Sequence, residues 1–415
     1  MKRLLAILLV ATIALSLLTA CGNSSASSDE PATPAAANST PQTDPEPEPE
    51  PELPYEPAVL TGLPKDEDYP EGQRITAVMV NNISNAVTND ARPQNGLSGA
   101  DILIEIKVEG GITRFCALFT DYNKIEYICP VRSARDQFFQ LFLPFQPVFI
   151  HIGESVIQTQ YKKDYTYESL DVNFDSVGFN YDTSRQAAGI KQWETAYLTQ
   201  DDIQRGLEKL NTDTQRTYGS PFFDFVNYNE PNRVLTGDDA LGIKIVHSQS
   251  YRTYFDWDAD SGKYLMSQYS LRYRDIRPST DANNGEQLAF ENVLVLFTDF
   301  DVYPDPGGSG YDLQKVNYAN GGVGYYFNGG KAEFIRWMKG APLQPLRIVD
   351  AEGNEESVKI NPGKTYIAVV DLIDVVENGK TAAELFGYNP TGTAQTDTAE
   401  TVGEDNDTAN FVEID

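Results

Sequence analysis

The sequence predicts an α+β fold, β-rich, with mostly antiparallel sheets, a few helices packed on one side, and two adjacent subdomains. Three observations predict it. Short apolar runs of strand length recur from Ile75 to Val370, separated by turns rich in Gly, Asn and Pro. Helical signatures are confined to two stretches, Ser133–Leu143 and Thr199–Leu210. The character of the chain changes near residue 237, beyond which it is strand-dominated and rich in Tyr and Gly. The expected organisation is a signal peptide at 1–20, a disordered Pro/Glu-rich stalk at 21–57, an α+β domain at 58–236, a β-rich domain at 237–386 and a disordered acidic tail at 387–415.

The N-terminus predicts the compartment. Lys2 and Arg3 precede an apolar run from Leu4 to Leu18, and small residues lead into Cys21, the order of an export signal. The 15 residues of that run fall short of the ~20 needed to cross a bilayer. Leu18-Thr19-Ala20-Cys21 resembles the lipobox of bacterial lipoproteins. The resemblance implies cleavage before Cys21, a diacylglyceryl thioether on its sulfur, and anchoring in the lipid bilayer at the extracytoplasmic face of the cell membrane. Two acyl chains hold a protein stably where one binds only marginally. The alternating Pro-Glu tract from Pro45 to Glu52 cannot bury apolar surface and favours an extended spacer.

The formal charge of −29 is unevenly spread: Cys21–Pro57 carries −8 and Tyr388–Asp415 carries −7, with no basic residue in either. A chain this acidic lacks the basic face that nucleic acid requires, so nucleic acid is not an expected partner.

Taken in order, Ile75–Val80 and Ile102–Val108 read as strands, and Glu109-Gly110-Gly111 turns the second into Ile112–Phe119. Tyr122-Asn123 serves as a two-residue hairpin turn. Pairing Asp121 with Lys124 then places Cys116 opposite Cys129, at the ~4.5 to 5.5 Å Cα separation that a disulfide tolerates. Export makes that bond feasible, and two buried thiols acting as small hydrophobes are the alternative. Ser133–Leu143 reads as a helix capped by Ser133, with Asp136 three residues on. Val148–Ile152 is a buried strand. Thr199–Leu210 is the clearest helix, with Thr199 and Asp202 in a cap and Ile203, Leu207 and Leu210 on one face. Further on, Ile243–Trp257 and Tyr264–Tyr273 read as arms of a hairpin. Strands follow at Val293–Phe297, Gly324–Phe327, Phe334–Trp337, Arg347–Val349, Ser357–Ile360 and Tyr366–Val370.

Several segments carry a family resemblance. They include Leu60-Thr61-Gly62-Leu63-Pro64, Ala91-Arg92-Pro93-Gln94, Val108-Glu109-Gly110-Gly111-Ile112-Thr113-Arg114-Phe115, Pro130-Val131-Arg132-Ser133-Ala134-Arg135 and His151-Ile152-Gly153. In the second half they include Gly324-Tyr325-Tyr326-Phe327, Trp337 and Asn361-Pro362-Gly363-Lys364-Thr365. Through these the chain resembles the YerB-like lipoprotein family of Gram-positive bacteria over roughly 58–375. The resemblance implies an anchored extracytoplasmic protein with paired N- and C-terminal domains and no established activity. Two departures stand out: Asn81-Asn82 where the family pattern has an Asp-Asn pair, and Glu194-Thr195 where it has His-Asn.

The residue types able to do chemistry are few. In so acidic a chain Arg92, Arg114, Arg132 and Arg135 are candidates for an anion pocket beside Ser133, at the N-terminus of the expected helix; pairing with Asp101, Glu105 or Glu109 inside the fold is the alternative. His151, at the end of a buried strand, is a candidate acid or base. Two histidines and two cysteines do not make a typical zinc set. Asp256, Asp258 and Asp260 alternate as in a calcium loop, but Ser261 and Ser267 stand where it needs Gly and Glu. No metal or cofactor is therefore expected. The tyrosines between Tyr251 and Tyr273 suit a sugar-stacking face or simply a sheet with one wet side. The leading expectation is a protein that binds or scaffolds a cell-envelope ligand or partner; the competing one is an envelope-polymer hydrolase or transferase using His151 and the arginines.

Overall fold

The computed structural model describes residues 55–173, 178–304, 310–352 and 357–372. The signal peptide, Cys21, all but the last residues of the stalk, and the acidic tail lie outside the described residues. Within them no helix is long and apolar enough to cross a membrane.

Among the described residues, ten strands form one mixed sheet. In chain order the strands are β1 (Thr76–Asn81), β2 (Ile102–Lys107), β3 (Thr113–Phe119), β4 (Val148–His151) and β5 (Leu170–Asp171). A second sheet intervenes, made by β6 (Gly242–Val246), β7 (Arg252–Asp258), β8 (Lys263–Ser270) and β9 (Asp275–Pro278), with Ala289–Phe290 pairing onto β8. The large sheet resumes with β10 (Asn292–Thr298), β11 (Gly322–Asn328), β12 (Lys331–Met338), β13 (Arg347–Val349) and β14 (Thr365–Asp371). Its order is β13-β12-β11-β10-β14-β2-β3-β1-β4-β5. Each half of the chain thus contributes five strands, and the halves join through the parallel pair β2 and β14, in which Ile102 faces Thr365 and Ile106 faces Val369.

Both faces of this sheet are covered, which explains why β2, Ile-Leu-Ile-Glu-Ile-Lys, reads as an almost continuous apolar run. On one face Met79, Ile104, Cys116, Leu118, Phe149, Leu296 and Val369 pack against Phe138, Phe139 and Phe142 of helix α1 (Asp136–Phe142) and against Phe222, Phe223 and Phe225. The helix α2 (Val156–Asp164) adds Tyr161 to the same side. On the other face Val78, Leu103, Phe115, Ala117, Ile150, Val295 and Tyr366 meet Ile243, Phe255, Tyr264 and Met266 of the small sheet. Two further helices are α3 (Thr183–Ala187) and α4 (Gln200–Lys209). Ile203 and Leu207 of α4 close that second face, and Thr199 and Asp202 form its capping box. Burying a side chain the size of Phe139 stabilises by about 2 to 3 kcal/mol.

The structure corrects four local expectations. Cys116 and Cys129 are free, buried thiols. A hairpin at Tyr122-Asn123 would set them opposite one another, but β3 is an interior strand flanked by β1 and β2, so Cys116 lies opposite Met79 and Ile104. Tyr122–Lys124 is a 3-10 turn under an Asp121 cap, and Tyr127–Ile128 pairs instead with Ala196–Thr199. Burial pushes both thiols up, Cys129 to about 11. Second, α1 starts at Asp136 with Arg135 at its N-cap, and Ser133 does not cap it. The backbone around Ser133 is held extended: Arg132 N–H donates to Met79 O and Ala134 N–H to Gly153 O, both at 2.9 Å. Third, Ile243–Trp257 is two strands, β6 and β7, rather than one arm. Fourth, Ser357–Ile360 makes only isolated bridges to Val349 and Phe225. Helix α2 went unread because Gln158 is its only buried residue, so it shows no apolar periodicity.

Candidate functional site

In the large sheet β1, β2, β4, β5, β10 and β14 run in one direction. Their carboxyl ends form one edge, the side on which sheets with parallel strands usually present ligand sites. Asn81 ends β1, Lys107 ends β2 with Glu109 beyond it, His151 ends β4, Asp171 ends β5 and Asp371 ends β14; Arg114 enters β3 at the same edge. Most of the residues singled out in the sequence therefore gather here, although they are far apart in the chain.

The arginines are engaged with protein groups. Glu109 sits between Arg114, whose Nη2 is 3.3 Å from Oε1, and Arg135, whose Nε donates to Oε2 at 2.9 Å and whose Nη2 contacts Oε1. Arg114 is 5% exposed, and its Nη1 also donates to Ser133 O at 2.5 Å. Burial, and then Arg135 alongside, lower the Arg114 pKa to about 9. Burial by itself would raise the Glu109 carboxyl, but Arg114 and Arg135 hold it at about 2. Arg132 Nη2 donates to Glu194 Oε1 at 3.1 Å, with its side chain 27% exposed against 3% for Glu194. Arg92 faces the other layer, where Nε donates to Asn82 Oδ1 at 2.9 Å and Nη1 to Tyr269 O at 2.8 Å. Of the four, Arg114, Arg132 and Arg135 form a group, and Arg92 lies apart from it.

Asn81 and Glu194, the two positions at which the chain departs from the family pattern, touch: Asn81 Nδ2 donates to Glu194 Oε2. Where the pattern has an acidic residue the chain has a neutral donor, and where it has histidine the chain has a carboxylate.

His151 is fully buried. Nδ1 lies 2.8 Å from Gly153 O and Nε2 2.8 Å from Ser169 Oγ. Burial, and then the Lys162 charge, lower its pKa to about 4, so the ring is neutral at pH 7. Its approaches to Glu154 (3.7 Å) and Asp171 (3.8 Å) are therefore not ion pairs. His151, Glu154 and Asp171 are close enough to be considered as metal ligands. Lys162 Nζ, however, lies 2.7 Å from Glu154 Oε2 and donates to Ser169 Oγ at 2.8 Å, supplying the positive charge itself.

The most elaborate polar cluster went unread in the sequence. Glu105, in the middle of β2, is completely buried and faces the small sheet. Its Oε1 accepts from Thr113 Oγ1 at 2.7 Å and Asn82 Nδ2 at 3.0 Å; its Oε2 accepts from Tyr366 OH at 2.6 Å and Thr253 Oγ1 at 2.8 Å. Gln268 Nε2 donates to Oε1 at 3.2 Å, and His247 Nε2 lies 3.5 Å from Oε2. Burial pushes this carboxyl up, yet the adjoining His247 ring and the hydrogen bonds from Tyr366 and Thr113 bring it to about 2. The available signal was one acidic residue, Glu105, set among Ile102, Leu103, Ile104 and Ile106. Elsewhere, a cavity of about 100 Å³ is lined by Leu97, Ser98, Lys263, Leu288, Phe290 and Lys364 among others, and by none of the candidate residues.

Residues 60–213 match the N-terminal domain, and residues 243–367 the C-terminal domain, of the family described as "Protein of unknown function (DUF3048)". The chain is 27% identical to "Putative lipoprotein YerB" of Bacillus subtilis (strain 168) over 330 residues, 78% of this chain and 88% of that protein. The crystal structure of YerB protein from Bacillus subtilis superposes with a TM-score of 0.61 at 25% identity, covering 76% of this chain and 96% of that one.

Proposed function

The chain belongs to the family described as "Protein of unknown function (DUF3048)", and from that premise we propose that it is a membrane-anchored extracytoplasmic lipoprotein that binds or scaffolds a cell-envelope ligand or partner. The anchor is supported by the Leu18-Thr19-Ala20-Cys21 segment and by the name of the Bacillus subtilis relative. The observation that carries binding over catalysis is the state of His151: buried, neutral, and occupied on both ring nitrogens. A general acid or base must reach the reacting proton within hydrogen-bond distance, and this ring has no free nitrogen to do so. Arg114 and Arg135 are likewise spent on Glu109. A folded body on the spacer expected from the Pro-Glu tract suits holding a partner away from the lipid surface.

Growth with an alkyne analogue of palmitate tests the anchor. Full-length protein should take up the label and fractionate with membranes, and Cys21→Ala should lose both properties. Label retained in Cys21→Ala, or wild-type protein without label, would overturn the anchored reading.

A further inference from the structure

Among the described residues the cover of the large sheet thins at β12. β10 and β14 are buried along their whole length. In β12, Ile335 and Trp337 are buried on the face that carries α1, and Ala332 is buried beneath the small sheet on the other face. Phe334, Arg336 and Met338, which follow Ala332 on that second face, are exposed, Phe334 by 43% and Met338 by 49%. In the adjoining β11, Val323 lies opposite Arg336 and is only half-buried, and the Phe334 ring meets Tyr325 edge-on at 5.4 Å between centres. Scattered exposed apolar residues are ordinary. Successive same-face positions on one strand, beyond the point where the small sheet stops, form a strip instead.

The chain leaves the described residues on this same face. Leu372, just after β14, packs on the apolar cluster that contains Ala332. Three strand spacings of ~4.8 Å separate β14 from β12, about 14 Å in all. Leu385 follows Leu372 by 13 residues, which can span up to ~43 Å. Around it the sequence reads Thr381-Ala382-Ala383-Glu384-Leu385-Phe386-Gly387. Thr with Glu three residues on is the signature of a capping box, two large apolar residues follow, and Gly closes the run. Residues 373–387 also hold three acids, Asp374, Glu377 and Glu384, against the single base Lys380, a net charge of −2 that complements Arg336 in the middle of the strip.

We propose that this strip seats the chain's own residues 381–387, with Leu385 and Phe386 laid over Phe334 and Met338 and Glu384 toward Arg336. The contact removes from water the apolar surface that the small sheet leaves uncovered. Two half-exposed side chains and an arginine fall well short of the ~1,200 Å² that a stable interface between separate molecules buries. A segment tethered to the end of β14 needs far less area, because the linker holds it at high effective concentration. A second copy of the chain would bring another formal charge of −29 to the same face and is repelled. The proposal goes beyond the binding reading and does not depend on it: a partner meets this strip only after displacing residues 381–387.

Peroxide oxidation of the full chain in detergent micelles, followed residue by residue by mass spectrometry, tests this. Met338 should be oxidised about fivefold faster in the double variant Leu385→Asp, Phe386→Asp than in wild type. Met79 and Met266, both fully buried, should stay unoxidised in either protein and so report an intact fold. Hydrogen exchange in the wild type is a second measurement that needs no substitution. The amides of residues 383–387 should exchange at least about tenfold more slowly than in a synthetic peptide of residues 373–390, and Phe334→Asp should abolish that protection. The proposal is overturned if Met338 reacts equally fast in both proteins, if residues 383–387 exchange like the peptide, or if Phe334→Asp leaves their protection in place. Protection that rises with protein concentration would also overturn it, assigning the strip to a second copy. Should Met79 or Met266 react in the double variant, the exchange measurement decides alone.

Discussion

Glu105→Gln removes a buried charge while keeping the shape of the side chain. Four hydrogen bonds of 2.6 to 3.0 Å, from Tyr366, Thr113, Thr253 and Asn82, converge on a carboxylate with no access to water. The carboxyl pKa falls from 4.5 to about 2, which at ~1.4 kcal/mol per unit makes the ionised form worth about 3 kcal/mol to the fold. The glutamine also turns an N–H group toward donors already aimed at an acceptor, a buried mismatch. We therefore expect a loss of about 3 kcal/mol at pH 7, within the ~3 to 5 kcal/mol seen when one partner of a buried charged network is removed. Because the folded-state pKa lies below the ordinary one, acidification protonates the unfolded chain first. The contribution of Glu105 is present in full above about pH 4.5 and fades as pH falls toward 2. Urea unfolding followed by the fluorescence of Trp193, Trp257 and Trp337 measures both quantities. The reasoning fails if wild type and Glu105→Gln differ by less than about 1 kcal/mol at pH 7, or if their difference is the same at pH 7 and pH 3.

Other consequences follow from the same geometry. Glu109→Gln leaves Arg114 buried beside Arg135 without a counter-charge and should cost about 3 to 5 kcal/mol by the same unfolding assay; a loss under 1 kcal/mol would show the cluster to be solvated. Reductant should leave the melting temperature unchanged, and Cys116 and Cys129 should react with iodoacetamide only after unfolding; resistance in unfolded, unreduced protein would reveal a disulfide. The His151 ring, lowered from 6.5 to about 4, binds its proton first in the unfolded chain, so its contribution is intact above about 6.5 and declines as pH drops toward 4. Its NMR shifts should stay flat from pH 8 to 5, and a midpoint near 6.5 would mean an open, solvated ring.

Legibility differed by element. The helix at Gln200–Lys209 was readable because its signals are local: a cap, a box and three apolar residues on one face. So were most strands, since a strand buried on both faces writes itself as an apolar run. Strand partners were not readable. A hairpin between β3 and its successor was the economical local choice, but flanking strands drawn from residues 76–81 and 102–107 occupy both edges of β3. Charges were legible in part: pairing of the arginines with Asp101, Glu105 or Glu109 was one of the two readings, and which carboxylate Arg114 and Arg135 meet, Glu109, depends on two turns brought to one sheet edge.

By itself the sequence determined a β-rich body in two adjacent parts, and from short segments it raised the expectations of an export signal ending at Cys21, a Pro-Glu spacer and an acidic balance unsuited to nucleic acid. Each follows from composition or spacing, which fold does not alter. Only the tertiary structure decided what the reactive side chains do, because hydrogen bonding and burial depend on neighbours distant in the chain. It turned His151 and the edge arginines into architecture, put Glu105 at the junction of the two halves, and left both thiols free.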